Sequence, residues 1–398
     1  MQTASYVGGI DMSLAELYVN IERMPFYWRL KAIDEECPVP EILPFCFDYD
    51  LRLKLITQKR NIDVLRCLEN VYSQDENIGY LQDGNTIAKP YGDDFYRFIT
   101  EALSYSRSVR AVLEIGCGGC TVLRRLQLTG YDVIGIDPGP LALREGARLG
   151  IPVIKDFFPT SKFTKSVDLI FHNDVLEHVE DPVNFLRLQR SQLRERGLLV
   201  VGVPDCSDSI ATGDISLAMH QHLNYFNKRS LRNVLVDAGF EVLKIQKAAY
   251  GGSLYALAQV GRGSARQGID QDGTEFVEFL SKAHIAVSKF STLFQECLLT
   301  NDSIGFYAPL RAIPYLASIG AFSGYRFFDD TGHWHGKYFD GIRVKVENFA
   351  DLQTNPVDRI FVMSSTFGNK IINKICDAHI PLKSIYSLDR LISHSSHG

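Results

Sequence analysis

The chain has 398 residues, 45% of them hydrophobic and 22% charged, with a formal net charge of −5. That length predicts two or three domains, and the composition is ordinary for a globular protein. The mild acidity gives no electrostatic footprint for nucleic acid, so a small-molecule or protein partner is expected. Residues 1–20 lack a basic segment followed by an apolar core, which argues against a signal peptide. No apolar run reaches the roughly 20 residues of a membrane span. The eight cysteines are scattered, which suits a reducing, cytoplasmic setting better than a disulfide framework. The oligomeric state is open.

In chain order, residues 1–90 read as an irregular N-terminal region that could serve as a substrate lid. From Tyr91 to about residue 262, short apolar runs alternate with helical patterns. Strands are expected at Val109–Ile115, Asp132–Ile136, Val153–Lys155, Ser166–His172 and Gly197–Pro204. Helices are expected at Thr121–Thr129, Leu141–Leu149, Pro182–Arg194 and Lys228–Ala238. This alternation predicts an α/β fold, a mostly parallel sheet covered on both faces. A polar linker, Gly261–Gly273, leads to a long amphipathic helix over Phe276–Thr300. A second, smaller alternating unit follows, so residues 263–398 are expected to form a Rossmann-like C-terminal domain. Its strand-like runs are Ser303–Tyr307, Tyr325–Phe328 and Arg359–Ser364, and its helical runs Leu310–Ser318 and Asn369–Ala378.

The chemistry concentrates at Val112-Leu-Glu-Ile-Gly-Cys-Gly-Gly119, a strand running into a glycine turn and then a helix. Glycine at Gly116 and Gly118 lets the backbone approach a ligand closely, at the strand ends where open α/β sheets bind. Asp137 ends the next strand, about 20 positions on, where an acid can accept both ribose hydroxyls. A dinucleotide fingerprint would want glycine or alanine at the position that Thr121 occupies, and the Glu114 carboxylate would repel a pyrophosphate. A carboxylate there suits the cationic sulfonium and ammonium of S-adenosylmethionine (SAM).

Glu114-Ile-Gly-Cys-Gly118, Asp137, Asp156 and Asn173-Asp-Val-Leu-Glu-His178, in that order, resemble the successive motifs of class I SAM methyltransferases. The resemblance spans roughly Tyr91–Gly261. It implies that Glu114, Gly116 and Gly118 hold the methionine part of SAM and that Asp137 binds the ribose. Asp156 and Phe157 would lie by the adenine, while Asn173 and Asp174 face cofactor and acceptor.

On the acceptor side, Met219-His-Gln-His-Leu-Asn-Tyr-Phe-Asn227 stands out, because histidine changes charge near neutral pH and is a natural general base. His220 and His222 are the candidates, and a structural role for one of the two stays open. No third metal ligand is apparent beside them, so no metal is expected. This segment and Ala248–Tyr255 resemble the sugar C-methyltransferases that act on nucleotide-linked deoxysugars. Ile304–Pro309, Phe327–Asp330, Gly336–Gly341 and Val357–Val362 are similar to that family's C-terminal domain. The resemblance implies a His222 base that removes a proton beside a sugar ketone, with Tyr225 as orienter and carbon as the methyl acceptor. Tyr91, Gln221 and Asn224 would contact the substrate.

Three features depart from that family. Gln221 replaces the expected glutamate, and an amide cannot raise the histidine's basicity by charge. Cys37, Cys46 and Cys67 contain no Cys-x-x-Cys pair, so the family's N-terminal zinc site is not expected. Gly305 is followed by Phe-Tyr-Ala-Pro-Leu, which offers little room for a phosphate. Cys117 and Cys120 have metal-like spacing but read as small residues packing the glycine turn. Two alternatives remain beside sugar C-methylation: O- or N-methylation of a glycan or secondary metabolite, and a non-catalytic binding protein on the same fold.

Overall fold

Residues 111–115 form the strand around which one sheet is built, with four of the five side chains buried. This comes from a computed structural model that describes residues 5–7, 10–12, 19–26, 30–32, 39–74, 88–106, 108–261, 273–339 and 341–393. Helix α1 (Ala88–Leu103) leads into β1 (Ala111–Ile115), and α2 (Thr121–Leu128), β2 (Asp132–Asp137), α3 (Pro140–Leu149) and β3 (Val153–Lys155) follow. Then come β4 (Val167–Asn173), α4 (Pro182–Gln192), β5 (Leu193–Pro204), α5 (Lys228–Asp237), β6 (Phe240–Lys247) and β7 (Ser253–Val260). The expected elements here lie within a few residues of these bounds.

The sheet runs in the order β6-β7-β5-β4-β1-β2-β3. Strands β1 to β5 are parallel to one another, and β7 is antiparallel to both β5 and β6. The sequence reading did not identify β6 and β7. Strand β7 is buried along most of its length, so it shows no alternation to read. Gly251 and Gly252, both with positive φ, make the turn between them. The chain leaves β1 toward one edge and returns through β4 toward the other, so the strand order reverses between β1 and β4. A ligand crevice opens outside the carboxyl ends of strands at such a point.

The two sheet faces follow from the period-2 alternation of the strands. Leu113, Ile115, Ile170, Leu199 and Val201 pack with Val183 and Leu186 of α4 and with Leu231, Val234 and Leu235 of α5. Val112, Leu169, Phe171 and Val200 pack with Phe95, Phe98 and Ile99 of α1 and with Val122, Leu123 and Leu126 of α2.

Packing divides the chain into two discontinuous units, residues 49–207 with 221–272 and residues 1–48 with 208–220 and 273–398. The three consecutive stretches 1–90, 91–262 and 263–398 are therefore not the packing units. Residues 49–74 join the first unit because the strand Leu55–Gln58 pairs with Asn224–Tyr225, and Asn233 Nδ2 donates to Leu53 O at 3.2 Å. Residues 208–220 join the second because Lys282 Nζ donates to Ala211 O at 2.7 Å and Tyr315 OH to Asp214 Oδ1 at 3.2 Å. The N-terminal region is also more regular than expected. Asn20–Pro25 pairs with Ile42–Asp50, and Ile62–Gln74 is a helix.

In the second unit, α6 (Thr274–Leu299), β8 (Ile304–Tyr307), α7 (Pro309–Ser318), β9 (Arg326–Phe328), β10 (Tyr338–Phe339), β11 (Ile342–Glu347), β12 (Arg359–Val362), α8 (Gly368–Asp377) and β13 (Ser384–Ser387) follow one another. Their sheet order is β10-β11-β9-β8-β12-β13, parallel except for β10. This is the second, smaller Rossmann-like sheet that the sequence predicts. The expected linker, residues 262–272, and Cys37 lie outside the described residues.

Two stability predictions follow from the central strands. A Cβ on Gly202 of β5 would sit 1.9 Å from Asn173 Oδ1. Gly202→Ala should therefore lower the unfolding free energy by about 1–3 kcal/mol, read from the urea midpoint. His172 of β4 is fully buried, and burial pushes its pKa down to about 3. A histidine held neutral in this way contributes stability that is complete above the unfolded value of about 6.5 and is lost as pH falls toward 3. Across that window His172→Leu should flatten the fall in unfolding free energy by up to about 1.4 kcal/mol per pH unit; an unchanged slope would show that His172 charges freely in the native state.

Candidate active site

The glycine turn after β1 is built by backbone constraint. Gly116 has φ +73°, and a Cβ there would lie 2.6 Å from Val175 Cγ2. Gly118 has φ +43°, with nothing within 4 Å of the position a Cβ would take, so its backbone faces open space. Gly116 N donates to Ile136 O at 2.8 Å, which ties the turn to β2. Cys117 and Cys120 are buried free thiols whose sulfurs lie 3.9 Å apart. A Cβ on Gly135 would be 2.5 Å from Cys117 Sγ, so small residues meet here by necessity.

Asp137, at the carboxyl end of β2, accepts from Gly118 N at 2.9 Å and from Gly139 N at 2.7 Å, one on each oxygen. Burial raises its pKa, and those two backbone donors oppose the rise. Each oxygen keeps lone pairs for a further donor such as a ribose hydroxyl. Glu114 shares the sheet face of Val112, is 7% exposed, and has one buried oxygen, Oε2, with no hydrogen-bond partner among the described residues. Burial first, then the Cys120 and Asp137 charges, hold its pKa well above the usual carboxylate range. A buried carboxylate short of a partner fits a cationic ligand group, which would supply both charge and hydrogen bonds. The residues present therefore fit SAM.

Asp156, just past β3, is engaged locally. It accepts from Phe157 N at 2.9 Å and Thr160 Oγ1 at 2.8 Å, with Lys162 Nζ at 3.0 Å. The Phe157 ring beside it is exposed, an apolar surface of the kind that stacks on a base.

At the end of β4, Tyr91 OH lies 2.9 Å from both Asp174 oxygens and 3.0 Å from Ser253 Oγ. Asn173 Nδ2 donates to Asp174 Oδ2 at 2.8 Å and to Tyr91 OH at 3.2 Å. Asp174 has φ +54°, a left-handed conformation that costs a non-glycine residue free energy and recurs at functional sites. Burial raises its pKa to about 6.

The turn Leu176–His178 carries two more titratable groups. Glu177 is 1% exposed, and neither carboxylate oxygen has a hydrogen-bond partner among the described residues. His178 Nδ1 lies 2.7 Å from Gln221 O and 3.1 Å from Tyr72 OH. Burial lowers the His178 pKa to about 4, so the ring is neutral near pH 7. The His222 ring packs edge-on to His178 with centroids 5.0 Å apart, and 6.4 Å from Tyr225. The sequence reading missed His178, Glu177 and Tyr72 as site residues. Glu177 and His178 belonged to the quoted motif, but only folding brings them to His222.

The other acceptor-side candidates have structural work. Asn224 is buried, and its Nδ2 donates to Val179 O at 2.7 Å and Leu176 O at 3.3 Å, clamping the turn. Gln221 contributes its backbone carbonyl, to His178. Tyr225 is fully buried in the short strand that pairs with Ile56 and Thr57. His220 belongs to the other packing unit and is fully buried, stacked on Phe26 at 5.3 Å and edge-on to Phe45 at 5.8 Å. A ring enclosed by two phenylalanines cannot reach an acceptor, so His220 is the packed histidine of the pair.

Residues 89–245 match the family model described as a methyltransferase domain. A tRNA U34 carboxymethyltransferase from Idiomarina loihiensis is 36% identical over 105 residues, 24% of this chain and 32% of that protein. A ubiquinone biosynthesis O-methyltransferase from Methylobacterium nodulans is 30% identical over 129 residues, 30% of this chain and 48% of that protein. The chain thus spans from a third to about half the length of these curated relatives. The solved structure of the N-methyltransferase NodS from Bradyrhizobium japonicum covers 49% of this chain and 97% of its own, at 18% identity and a TM-score of 0.38. The match falls on the stretch that carries the glycine turn, Asp137 and the Asn173–His178 motif, so residues 89–245 carry a methyltransferase domain.

Proposed function

We propose that the protein transfers the methyl group of SAM to a small-molecule acceptor, and that the acceptor is the carbon beside a ketone of a sugar, in the leading case a nucleotide-linked one. One observation carries the cofactor assignment. The buried oxygen of Glu114 that has no partner among the described residues lies on β1, the strand that runs into the turn whose Gly118 N–H holds Asp137. Glu114 takes the cationic end of SAM, Asp137 the ribose, and Asp156 with Phe157 the adenine side. The Tyr91–Asn173–Asp174 network marks the acceptor side.

In the reaction, the acceptor gives the proton beside its ketone to His222, and the enolate carbon attacks the methyl carbon in line. The carbon–sulfur bond breaks, and the electron pair stays on sulfur as a thioether. Alignment and exclusion of water supply much of the rate. His222 is the residue that activates the acceptor, and Tyr225 packs beside it. The sugar assignment rests on the likeness of the segment around His222, and of the C-terminal sheet's motifs, to the sugar C-methyltransferases. A cytoplasmic location fits the free cysteines. No helix among the described residues is long and apolar enough to cross a membrane.

A second reading, transfer to a hydroxyl oxygen, is favoured by Gln221, since O-methylation needs less from a base than carbon does. It is also the activity of the ubiquinone biosynthesis O-methyltransferase to which the chain is similar. The net charge of −5 counts against the nucleic-acid substrate named for another relative.

Calorimetric titration with SAM, using NAD as control, tests the cofactor. Wild type should bind SAM and not NAD, and Asp137→Ala should weaken SAM binding; unchanged affinity in that variant removes the ribose assignment. Screening nucleotide-sugar ketones and hydroxylated acceptors with labelled SAM separates the two acceptor readings. His222→Ala should slow turnover at least about 100-fold while SAM affinity is retained; equal turnover would remove His222 from the mechanism.

A further inference from the structure

We propose that Glu177, His178 and His222 bind one divalent transition-metal ion of the zinc or manganese kind. One ligand atom from each residue can be chosen so that all three lie within 4.8 Å of one another. Ligand bonds near 2.1 Å would bring such atoms to roughly 3–3.5 Å apart, a small closing movement of side chains.

The hydrogen bonds around His178 point the same way. The Gln221 carbonyl, 2.7 Å from Nδ1, can only accept, so it fixes the ring proton on Nδ1. Nε2 lies 3.6 Å from Glu177 Oε1. A histidine that gives its far N–H to a carbonyl and turns its other nitrogen to a carboxylate has the outer-shell arrangement of a metal ligand. Glu177 supplies an independent observation: it is 1% exposed, and both oxygens lack a hydrogen-bond partner among the described residues. Burial of a carboxylate without partners is costly, and a cation removes that cost.

The site is also held in place. Leu223 N donates to Glu177 O at 2.7 Å, and Asn224 Nδ2 bonds the carbonyls on either side of the turn. These bonds fasten the Leu176–Val179 turn to the segment that carries His222. Two imidazoles and one carboxylate favour a first-row transition ion over magnesium or calcium, which prefer all-oxygen sites. Three protein ligands leave coordination positions open, as in sites that bind substrate. The ligands carry one negative charge together, so a loaded site is net positive and suits an oxygen anion, such as an enolate or a deprotonated hydroxyl. This role in the reaction rests on the methyl-transfer reading above; with the ion bound, His222 acts on the acceptor by holding the ion instead of as the base, and solvent water takes the proton.

The test uses the full chain, stripped with chelator and dialysed. Zn2+ and Mn2+ are titrated separately by calorimetry, Co2+ by visible absorption, and SAM in a parallel metal-free titration. One ion per chain is expected, with a cobalt d–d band. Glu177→Gln, His178→Ala and His222→Ala should each weaken metal affinity at least about tenfold, while circular dichroism and SAM affinity match wild type. Absence of stoichiometric metal binding in a protein that binds SAM overturns the metal site and leaves the methyl-transfer reading standing. Metal affinity unchanged in all three variants overturns it too, since the ion then sits elsewhere. Absence of SAM binding alongside intact metal binding overturns the methyl-transfer reading and not the site.

Discussion

The crevice depends on a carboxylate that the protein itself already uses. Asp137 accepts one backbone N–H from the turn after β1 and another from the start of α3. It therefore fixes the spacing between two strand ends before any ligand arrives. The glycine turn needs that fixing, because Gly116 and Gly118 have left-handed dihedrals and contribute no side-chain packing of their own. Removal of the carboxylate would release both backbone donors as well as a ligand contact. Binding and local architecture are thus one constraint, and the position of Glu114, two residues before Gly116, follows from it.

A second fastening acts on the acceptor side. The turn after β4 is tied to residues 221–225 by four bonds, one from Leu223 N, two from Asn224 Nδ2 and one to the Gln221 carbonyl. These are backbone groups and one buried amide, and they position titratable side chains instead of contacting a ligand. The residues that sequence reasoning placed at the substrate are, in Asn224 and Gln221, the frame behind it.

The contrast marks what a sequence can disclose. Strands β1 to β5 and helices α2 to α5 were legible because each is a short periodic run bounded by turn residues, and the cofactor motifs lie at the ends of those runs. The hairpin of β6 and β7 was hidden because β7 is buried in the sheet interior and does not alternate. The exchange of 208–220 into the second unit was hidden because it rests on tertiary bonds, such as Tyr315 to Asp214, that no local pattern encodes. His220 and His222 looked equivalent at a spacing of two; only packing shows that one is enclosed by Phe26 and Phe45 while the other meets His178.

The partnerless Glu114 oxygen bears on turnover as well as on binding. Methyl transfer converts a sulfonium into a neutral thioether, so the cofactor leaves the reaction with one positive charge fewer than it brought. In the proposed reading its pocket is lined by carboxyl groups at Glu114 and Asp137, both with pKa values raised by burial. Attraction to such a lining falls when the charge is lost. On the proposed reading, the spent cofactor has lost one attraction that the methyl donor had.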